Sequence, residues 1–188
     1  MAVAIVLIVI VALVVVVGLI VLLSYNGLVG LRNKLEAAYA QIDVQLNRRH
    51  DLIPNLVETV KGYAAHEKGT LEAVIQARNA AMSATGVADK AEAENVISGT
   101  LKSLFALSEA YPDLKANTNF QQLQAELSST EDRIAYARQY YNDNVRAYNT
   151  KIEVFPSVVV ANMFHFDARE YFQADEVSRG NVAVDFGA

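Results

Sequence analysis

The sequence contains no cysteine and no tryptophan, and only three of its 188 residues are proline. Without cysteine, the chain can form neither a disulfide framework nor the thioether-linked lipid of a lipoprotein. Charged side chains are also missing from the whole N-terminal part, where the first one is Arg32. That stretch therefore needs an explanation other than a surface facing water.

The N-terminal part is a continuous apolar run from Ala2 to Leu23. At about 1.5 Å per residue, a helix over this run is about 33 Å long, enough to cross a hydrocarbon core of about 30 Å. A cleaved signal peptide is the alternative. It would need basic residues before the run, a shorter apolar stretch and a small-residue cleavage site, and the sequence has none of these. We therefore predict a retained single-pass anchor over residues 1–24.

The basic residues nearest to this run all follow it: Arg32, Lys34, Arg48 and Arg49. The positive-inside rule places the part that follows the anchor on the cytoplasmic side, although only two of the four lie within about 15 residues of the run. The periplasmic side stays the alternative. The net charge of −5, with both signs mixed along the chain, argues against a nucleic-acid partner.

Beyond the anchor, apolar residues recur at steps of three and four, which predicts helices. The first seam comprises Leu28, Leu31, Leu35, Ala38, Ile42 and Leu46, resumes at Ile53, Leu56, Val60 and Tyr63, and predicts one helix to about Met82. The second helix carries Val96, Ile97, Leu101, Leu104 and Phe105 and stops before Pro112. The third runs from Phe120 to Ile152 with a near-heptad repeat typical of a coiled coil, and Pro156 ends it.

These segments predict an all-α protein in which the membrane helix is followed by an elongated, antiparallel three-helix bundle over residues 25–155. Residues 156–188 are expected to form a short apolar docking helix, from Ser157 to Phe166, and a mildly acidic tail. Only Val158–Val160 and Asn181–Phe186 offer candidate strands, and neither has an obvious partner.

Candidate chemical sites are few. At helical spacing, His50 and His66 point to nearly opposite faces and cannot share a metal ion on one helix. Neither a G-x-S-x-G motif nor a phosphate-binding loop is present. The adjacent carboxylates Glu131 and Asp132 are interpreted as solvated charges. We therefore predict no catalytic residue, no metal and no cofactor, and a protein that is not an enzyme.

The stretch from Arg48 to Pro54, "RRHDLIP", is the most unusual part of the predicted first helix. A proline inside a helix lacks an N–H and clashes with the carbonyl four residues earlier, which costs about 3 kcal/mol or more. The charge order fits two helix ends, with Arg48 and Arg49 closing one segment and Asp51 as the N-cap of the next. We therefore predict a kink or a restart at Pro54, and that Pro54→Ala straightens or stabilises the long helix and impairs assembly.

Aromatic side chains supply further structural or assembly candidates. Tyr141 and Tyr148 lie on the third seam, where packing in the core and a protein–protein contact are both open interpretations. Pro156, Phe164 and Phe166 belong to the apolar segment, which can pack on the bundle, on a neighbouring molecule or on the membrane surface.

Several long stretches also resemble the bacterial LemA family. These are "YNGLVGLRN", "AYAQIDVQLNRRHDLIPNLVETVKGYAAHE", "YPDLKANTNFQQLQAEL", "YYNDNVRAYN" and "FPSVVVANMFHFDAREYF". The resemblance implies an N-terminal anchor in the bacterial inner membrane and a helical bundle. Similar magnetosome membrane proteins suggest a role in membrane organisation. The family has no accepted enzymatic activity, so the resemblance carries no catalytic residues over to this chain.

Three functions are consistent with the sequence. The first is a non-enzymatic, membrane-anchored scaffold whose partners are the lipid bilayer and further copies of itself. The second is an adaptor that presents its bundle to a membrane protease or a signalling protein. The third, an enzyme or metal protein using His50 and Asp51, is the least favoured.

Overall fold

The computed structural model describes residues 1–172, so the candidate strand Asn181–Phe186 and the acidic tail lie outside the described part. Its helices are α1 (Ala2–Lys61), α2 (Lys68–Ser83), α3 (Val87–Ser108), α4 (Pro112–Lys115), α5 (Thr118–Glu153) and α6 (Ser157–Met163). No strand occurs within residues 1–172, and Val158–Val160 is helical, so the strand alternative there was wrong. The predicted all-α class with a long N-terminal apolar helix is confirmed.

The prediction of one helix reaching Met82 was wrong, because α1 ends at Lys61 and the chain turns before α2 begins at Lys68. The turn allows the apolar face of α2 to pack against that of α1 in one core. Gly62 lies in the turn, where a residue with low helix propensity makes the break inexpensive. The resulting core combines side chains of the last third of α1 with those of α2, including Ile53, Leu56, Val60, Leu71 and Val74.

Of the two alternatives predicted at Pro54, a kink or a restart, the restart was wrong. α1 is continuous from Ala2 to Lys61 with Pro54 inside it, and Asp51 is an exposed interior residue rather than an N-cap. The helix boundaries on either side of α4 agree better with the sequence. Asn117 accepts a hydrogen bond from the backbone N–H of Phe120 at 3.0 Å and so caps the start of α5.

The described residues form two compact units, and the first comprises Met1–Gln41 and Gln139–Glu170. None of its residues from Ala2 to Leu23 is buried, whereas buried positions recur at helical spacing from Ser24 onward. Its core contains Leu28, Leu35, Ala38, Tyr141, Val145, Tyr148, Val160 and Ala161. α1 is the one helix among the described residues that is long and apolar enough to cross a membrane.

In the first unit, α1 packs against the chain segment that begins at Tyr141. The rings of Tyr39 and Tyr141 lie 5.7 Å apart, and those of Tyr25 and Phe164 lie 4.9 Å apart. Tyr25 precedes Tyr39 on α1, whereas Phe164 follows Tyr141, so the two stretches of chain run in opposite directions. At the end of α6, His165 adopts the left-handed conformation (φ 54°), and the Phe166 N–H donates to the Ala161 carbonyl at 2.9 Å. This turn ends the helix in the usual C-terminal manner.

The second unit comprises Ile42–Arg138 together with Tyr171 and Phe172. It contains the end of α1, all of α2, α3 and α4, and the first part of α5. Gly86 precedes α3 with φ 85°, a conformation that favours glycine. The core of this unit also includes Ile97, Leu101, Leu104, Leu114, Phe120 and Leu127.

Candidate functional site: a buried ion-pair network

The apolar seam of α1 is interrupted by charged residues that point inward. Leu46 and Ile53 are buried, and between them Arg49 and His50 take the core-facing positions, with 1% and 6% of their surface exposed. The steps of three and four place all four residues on one side of the helix. Arg49 and His50 therefore serve the interior of the second unit and not the end of an interrupted helix.

Glu94 on α3 is the partner of both inward-pointing side chains. It occupies a seam position between the buried Ala91 and Ile97 and is only 1% exposed. Arg49 donates from Nη2 to Oε2 of Glu94 and forms an ion pair with it. The Nε2 atom of His50 lies 2.7 Å from Oε1 of the same carboxylate. Both carboxylate oxygens of Glu94 are therefore hydrogen-bonded in the interior.

The guanidinium of Arg49 also joins α1 to α5. Its Nη1 donates to Oε2 of Glu131 at 2.5 Å and to Oγ of Ser98 at 3.0 Å. Ser98 in turn donates to Oε1 of Glu131 at 3.0 Å. Glu131, which the sequence analysis interpreted as a solvated charge, is 45% exposed but is also hydrogen-bonded to Arg49 and Ser98. We call Arg49, His50, Glu94, Ser98 and Glu131 the Arg49 network.

Electrostatics keep Glu94 ionised. Burial by itself raises the pKa of the Glu94 carboxyl, but the hydrogen bond from His50 and the positive charge of Arg49 outweigh burial and hold the pKa below its usual value. A buried pair of this kind contributes little net stability, because desolvation of the charges offsets their attraction. Removing one partner, however, leaves an uncompensated buried charge. The Arg49 network therefore joins α1, α3 and α5, and it needs both Arg49 and Glu94 to keep the buried charges paired.

A second arginine, Arg138 on α5, lies beside the network. Its Nη1 donates to Oδ1 of Asn95 at 3.3 Å, and its guanidinium lies 4.8 Å from the ring centroid of Phe172. Burial lowers the pKa of Arg138, and the positive charge of Arg49 lowers it further. Two arginines and two glutamates thus balance in charge when His50 is neutral.

Pro54 leaves the His50 carbonyl without its helical donor, and a side chain of another helix replaces that donor. Because proline has no N–H, the carbonyl of His50 has no helical donor four residues later. Arg78 on α2 fills this vacancy, since its Nε donates to the His50 carbonyl oxygen at 2.7 Å. The proline therefore opens one carbonyl of α1 to a side chain of α2, and α1 remains continuous.

The remaining candidate residues from the sequence lie outside the Arg49 network, each with its own contacts. Arg48 is half exposed and pairs with Glu126 at 2.7 Å. Tyr141 and Tyr148 are buried in the first unit, and Tyr141 donates its hydroxyl to the Glu170 carbonyl at 3.0 Å. Burial raises the pKa of Tyr141.

The last three candidates surround α6. Pro156 follows a cis peptide bond and immediately precedes the helix. Phe164 is exposed but contacts Tyr25. Phe166 is buried, its ring centroid lies 5.8 Å from that of Tyr25, and the Arg32 guanidinium lies over its ring.

The arrangement around Arg49 has the chemistry of a structural site. No group of three or more His, Asp or Glu residues that could hold a metal ion occurs within residues 1–172. A cleft of about 230 Å³ reaches Ser98 and Glu131, but its other walls include Leu101, Phe105 and Leu127. The carboxylate of Glu94 is already hydrogen-bonded on both oxygens, so it is poorly suited to activate a substrate.

Sequence reasoning missed Glu94, Glu131 and Arg78 as members of these contacts. A signal for Glu94 was present, because a glutamate at a seam position between apolar residues must find a partner when it is buried. The gap in the first seam between Leu46 and Ile53 was the matching signal on α1. No comparable pattern marks Arg78, whose acceptor is a backbone carbonyl.

Comparison with known proteins places these features in a family. A model of the LemA family matches residues 38–186, which include the Arg49 network and α6. Protein LemA of Metamycoplasma hominis is 29% identical, and the match covers 84% of this chain and 72% of that protein.

Two magnetosome proteins are similar as well. MamQ of Magnetospirillum gryphiswaldense and MamQ 2 of Paramagnetospirillum magneticum are each 25% identical, over 80% and 81% of this chain. The chain spans 65% of the length of each. Because the family model extends over most of the sequence, the protein belongs to the LemA family.

Proposed function

We propose that the protein is a non-enzymatic, single-pass membrane scaffold that associates with further copies of itself. The observation that carries the proposal is the continuity of α1. Its first third is apolar and has no buried residue, and the same helix then supplies core side chains to both folded units. A folded part that is built on its own anchor is held directly at the membrane surface, where copies are concentrated.

The membrane role is supported by the magnetosome relatives, and the positions of Arg32 and Lys34 support a cytoplasmic orientation in a bacterial inner membrane. A single cysteine introduced at an exposed position can test this orientation, because the chain has no native thiol. In cells, a membrane-impermeant maleimide should leave a cysteine at Val44 unlabelled until the inner membrane is opened. Labelling in intact spheroplasts would place the folded part on the periplasmic side.

Self-association is tested by counting copies. The full chain, carrying one fluorophore per molecule, is reconstituted in vesicles at a low protein-to-lipid ratio and examined by single-molecule photobleaching. Multiple bleaching steps per spot are expected for a scaffold. Single steps at every protein density, together with a monomer mass by light scattering in detergent, would contradict the proposal.

An adaptor is the second candidate, and a groove in the second unit favours it. The groove lies between the end of α1 and α2, has a volume of about 640 Å³, and has the apolar side chains Val57, Leu71 and Ile75 on its walls. Glu58, Lys61, Lys68 and Glu72 surround it. An apolar groove with a charged border suits one face of a partner's amphipathic helix.

The adaptor function is tested with a photo-crosslinking amino acid at Ile75, and with one at the exposed Tyr136 as the control. A membrane protein captured at Ile75 but not at Tyr136 would support it. Equal capture at both positions, or crosslinks only between copies of this protein, would count against it.

A further inference from the structure

The segment around α6 presents an apolar surface to its surroundings, although it belongs to a folded unit. Val154, Phe155, Val159, Met163 and Phe164 are all exposed, from 42% for Val154 to 83% for Phe155. Val159 and Met163 are one helical turn apart and share the outer face of α6. The opposite face, with Ser157, Val160 and Ala161, is buried. We call the five exposed residues the α6 patch.

The patch carries no charge. No Asp, Glu, Lys or Arg occurs between Glu153 and Asp167, whereas charged residues are frequent elsewhere after Arg32. Exposed apolar side chains that cluster in this way mark a contact site with a membrane or another protein, because isolated exposure is common but contiguous exposure is not.

The contact between the α6 patch and α1 shows at which depth the patch lies relative to the membrane, and the depth identifies what covers it. Tyr25 follows the apolar run by only two residues, which is about 3 Å along the helix. The headgroup layer on each side of the hydrocarbon core is about 5–8 Å thick, so Tyr25 lies within it when the run spans the core. The ring of Phe164 is 4.9 Å from that of Tyr25, which places the end of the patch at the same depth.

The contacts of α1 with the segment after α6 fix this placement. Phe166 is buried 5.8 Å from Tyr25, and the Arg32 guanidinium lies 5.6 Å from its ring centroid. Asn149 of α5 also holds the segment, since it donates to the Arg169 carbonyl and accepts from the Arg169 N–H, both at 2.9 Å. The chain on both sides of the patch is therefore attached to helices of the same unit.

We propose that the α6 patch is a membrane-contact surface, which inserts its apolar side chains into the lipid interface beside the end of the anchor. The inference rests on the membrane-spanning role of α1 in the proposed function. The expected ligand is the headgroup and upper acyl-chain region of the bilayer. A second lipid contact of this kind restricts the tilt and rotation of the folded unit against the membrane, which one helix alone does not.

The test uses single cysteines at Val159 and Met163, each labelled with an environment-sensitive fluorophore. The full chain is reconstituted in vesicles of equimolar phosphatidylcholine and phosphatidylglycerol. Cysteines at Leu13, inside the apolar run, and at Val44 serve as controls, since both positions are at least as exposed as Val159 in the chain itself. Val44 lies about 32 Å along α1 beyond Leu23. Far-UV circular dichroism verifies that each variant is folded.

The expected result is blue-shifted emission at Val159 and Met163, most of which is lost when the phosphatidylcholine carries a doxyl quencher. Emission at Leu13 should behave likewise, whereas emission at Val44 should be quenched by aqueous iodide and not by the doxyl lipid. The difference between Val159 and Val44 is decisive, because both side chains are aliphatic and half or more exposed.

Three other results would overturn the inference. Iodide quenching at Val159 and Met163, with doxyl quenching at Leu13, would show that the patch faces water while the anchor spans the membrane. Protection from both quenchers would show that a neighbouring protein molecule covers the patch. Absence of doxyl quenching at Leu13 would refute the spanning anchor itself, and with it the inference.

Discussion

Replacing Arg49 with methionine should destabilise the second unit far more than the same change at Arg48. Arg49 is 1% exposed and ion-pairs with Glu94, which is equally buried. Removing the guanidinium leaves the carboxylate of Glu94 in the interior with His50 alone, and losing one partner of a buried pair costs about 3–5 kcal/mol. Methionine fills much of the arginine stem's volume, so a cavity adds little.

Arg48 supplies the matched control on the same helix. Its pair with Glu126 has side-chain exposures of 47% and 49%, and such surface pairs contribute about 0–1 kcal/mol. For a chain of this size, 1 kcal/mol corresponds to about 2–4 °C in the unfolding midpoint, so Arg49→Met should lower the midpoint by about 6–20 °C and Arg48→Met by at most about 4 °C.

Thermal unfolding of the full chain in detergent micelles, followed by far-UV circular dichroism, measures both midpoints. Equal, small shifts for the two variants would refute the argument that burial of the pair determines its importance. A further variant, Arg49→Met with Glu94→Leu, should be no less stable than Arg49→Met, because no unpaired buried carboxylate remains. Simple addition of two large losses would contradict that reasoning.

The remaining predictions concern acid, the proline and a helix cap. Because the folded pKa of Glu94 lies below its ordinary value of 4.5, its ionised form contributes stability above that pH and loses it as the pH falls further. The midpoint of the wild type should therefore fall towards that of Glu94→Gln in acid; a constant difference would be contrary evidence. Arg78→Met should cost about 1.5–3 kcal/mol in urea unfolding, and clearly less in a Pro54→Ala background, where the new N–H can donate to the His50 carbonyl. Equal costs in both backgrounds would reject this coupling. Asn117→Ala should cost about 1 kcal/mol by the same assay, and an unchanged midpoint would show that α5 does not depend on this cap.

The periodicity of the sequence was sufficient to locate α3 and α5. Both helices have one apolar face, and the boundaries are marked by Pro112, Asn117 and Pro156. The end of α1 at Lys61 was not predictable in the same way. Gly62 and Gly69 each weaken a helix by only about 1 kcal/mol. The chain turns there because the faces of α1 and α2 are buried together, and the apolar pattern of each segment alone is compatible with one long helix.

The candidate site illustrates the same limit. From the sequence alone, Arg48, Arg49 and Asp51 were attributed to helix-end electrostatics, because the partners of Arg49 lie far along the chain in α3 and α5. The part that was predictable is that a charged residue on a core-facing position requires compensation. Which residue compensates depends on the packing of three helices, and no local pattern encodes it.

The vacancy opened by Pro54 has a consequence for how α2 finds its place. The apolar faces of two helices can slide past one another by one turn and still bury similar side chains, so packing alone discriminates weakly between registers. Pro54 is the one proline within α1, so it frees a single interior carbonyl in a helix of 60 residues. Only one alignment brings the Arg78 side chain to that oxygen. The missing backbone donor thus selects one register between α1 and α2, because only that register gives the His50 carbonyl a hydrogen bond.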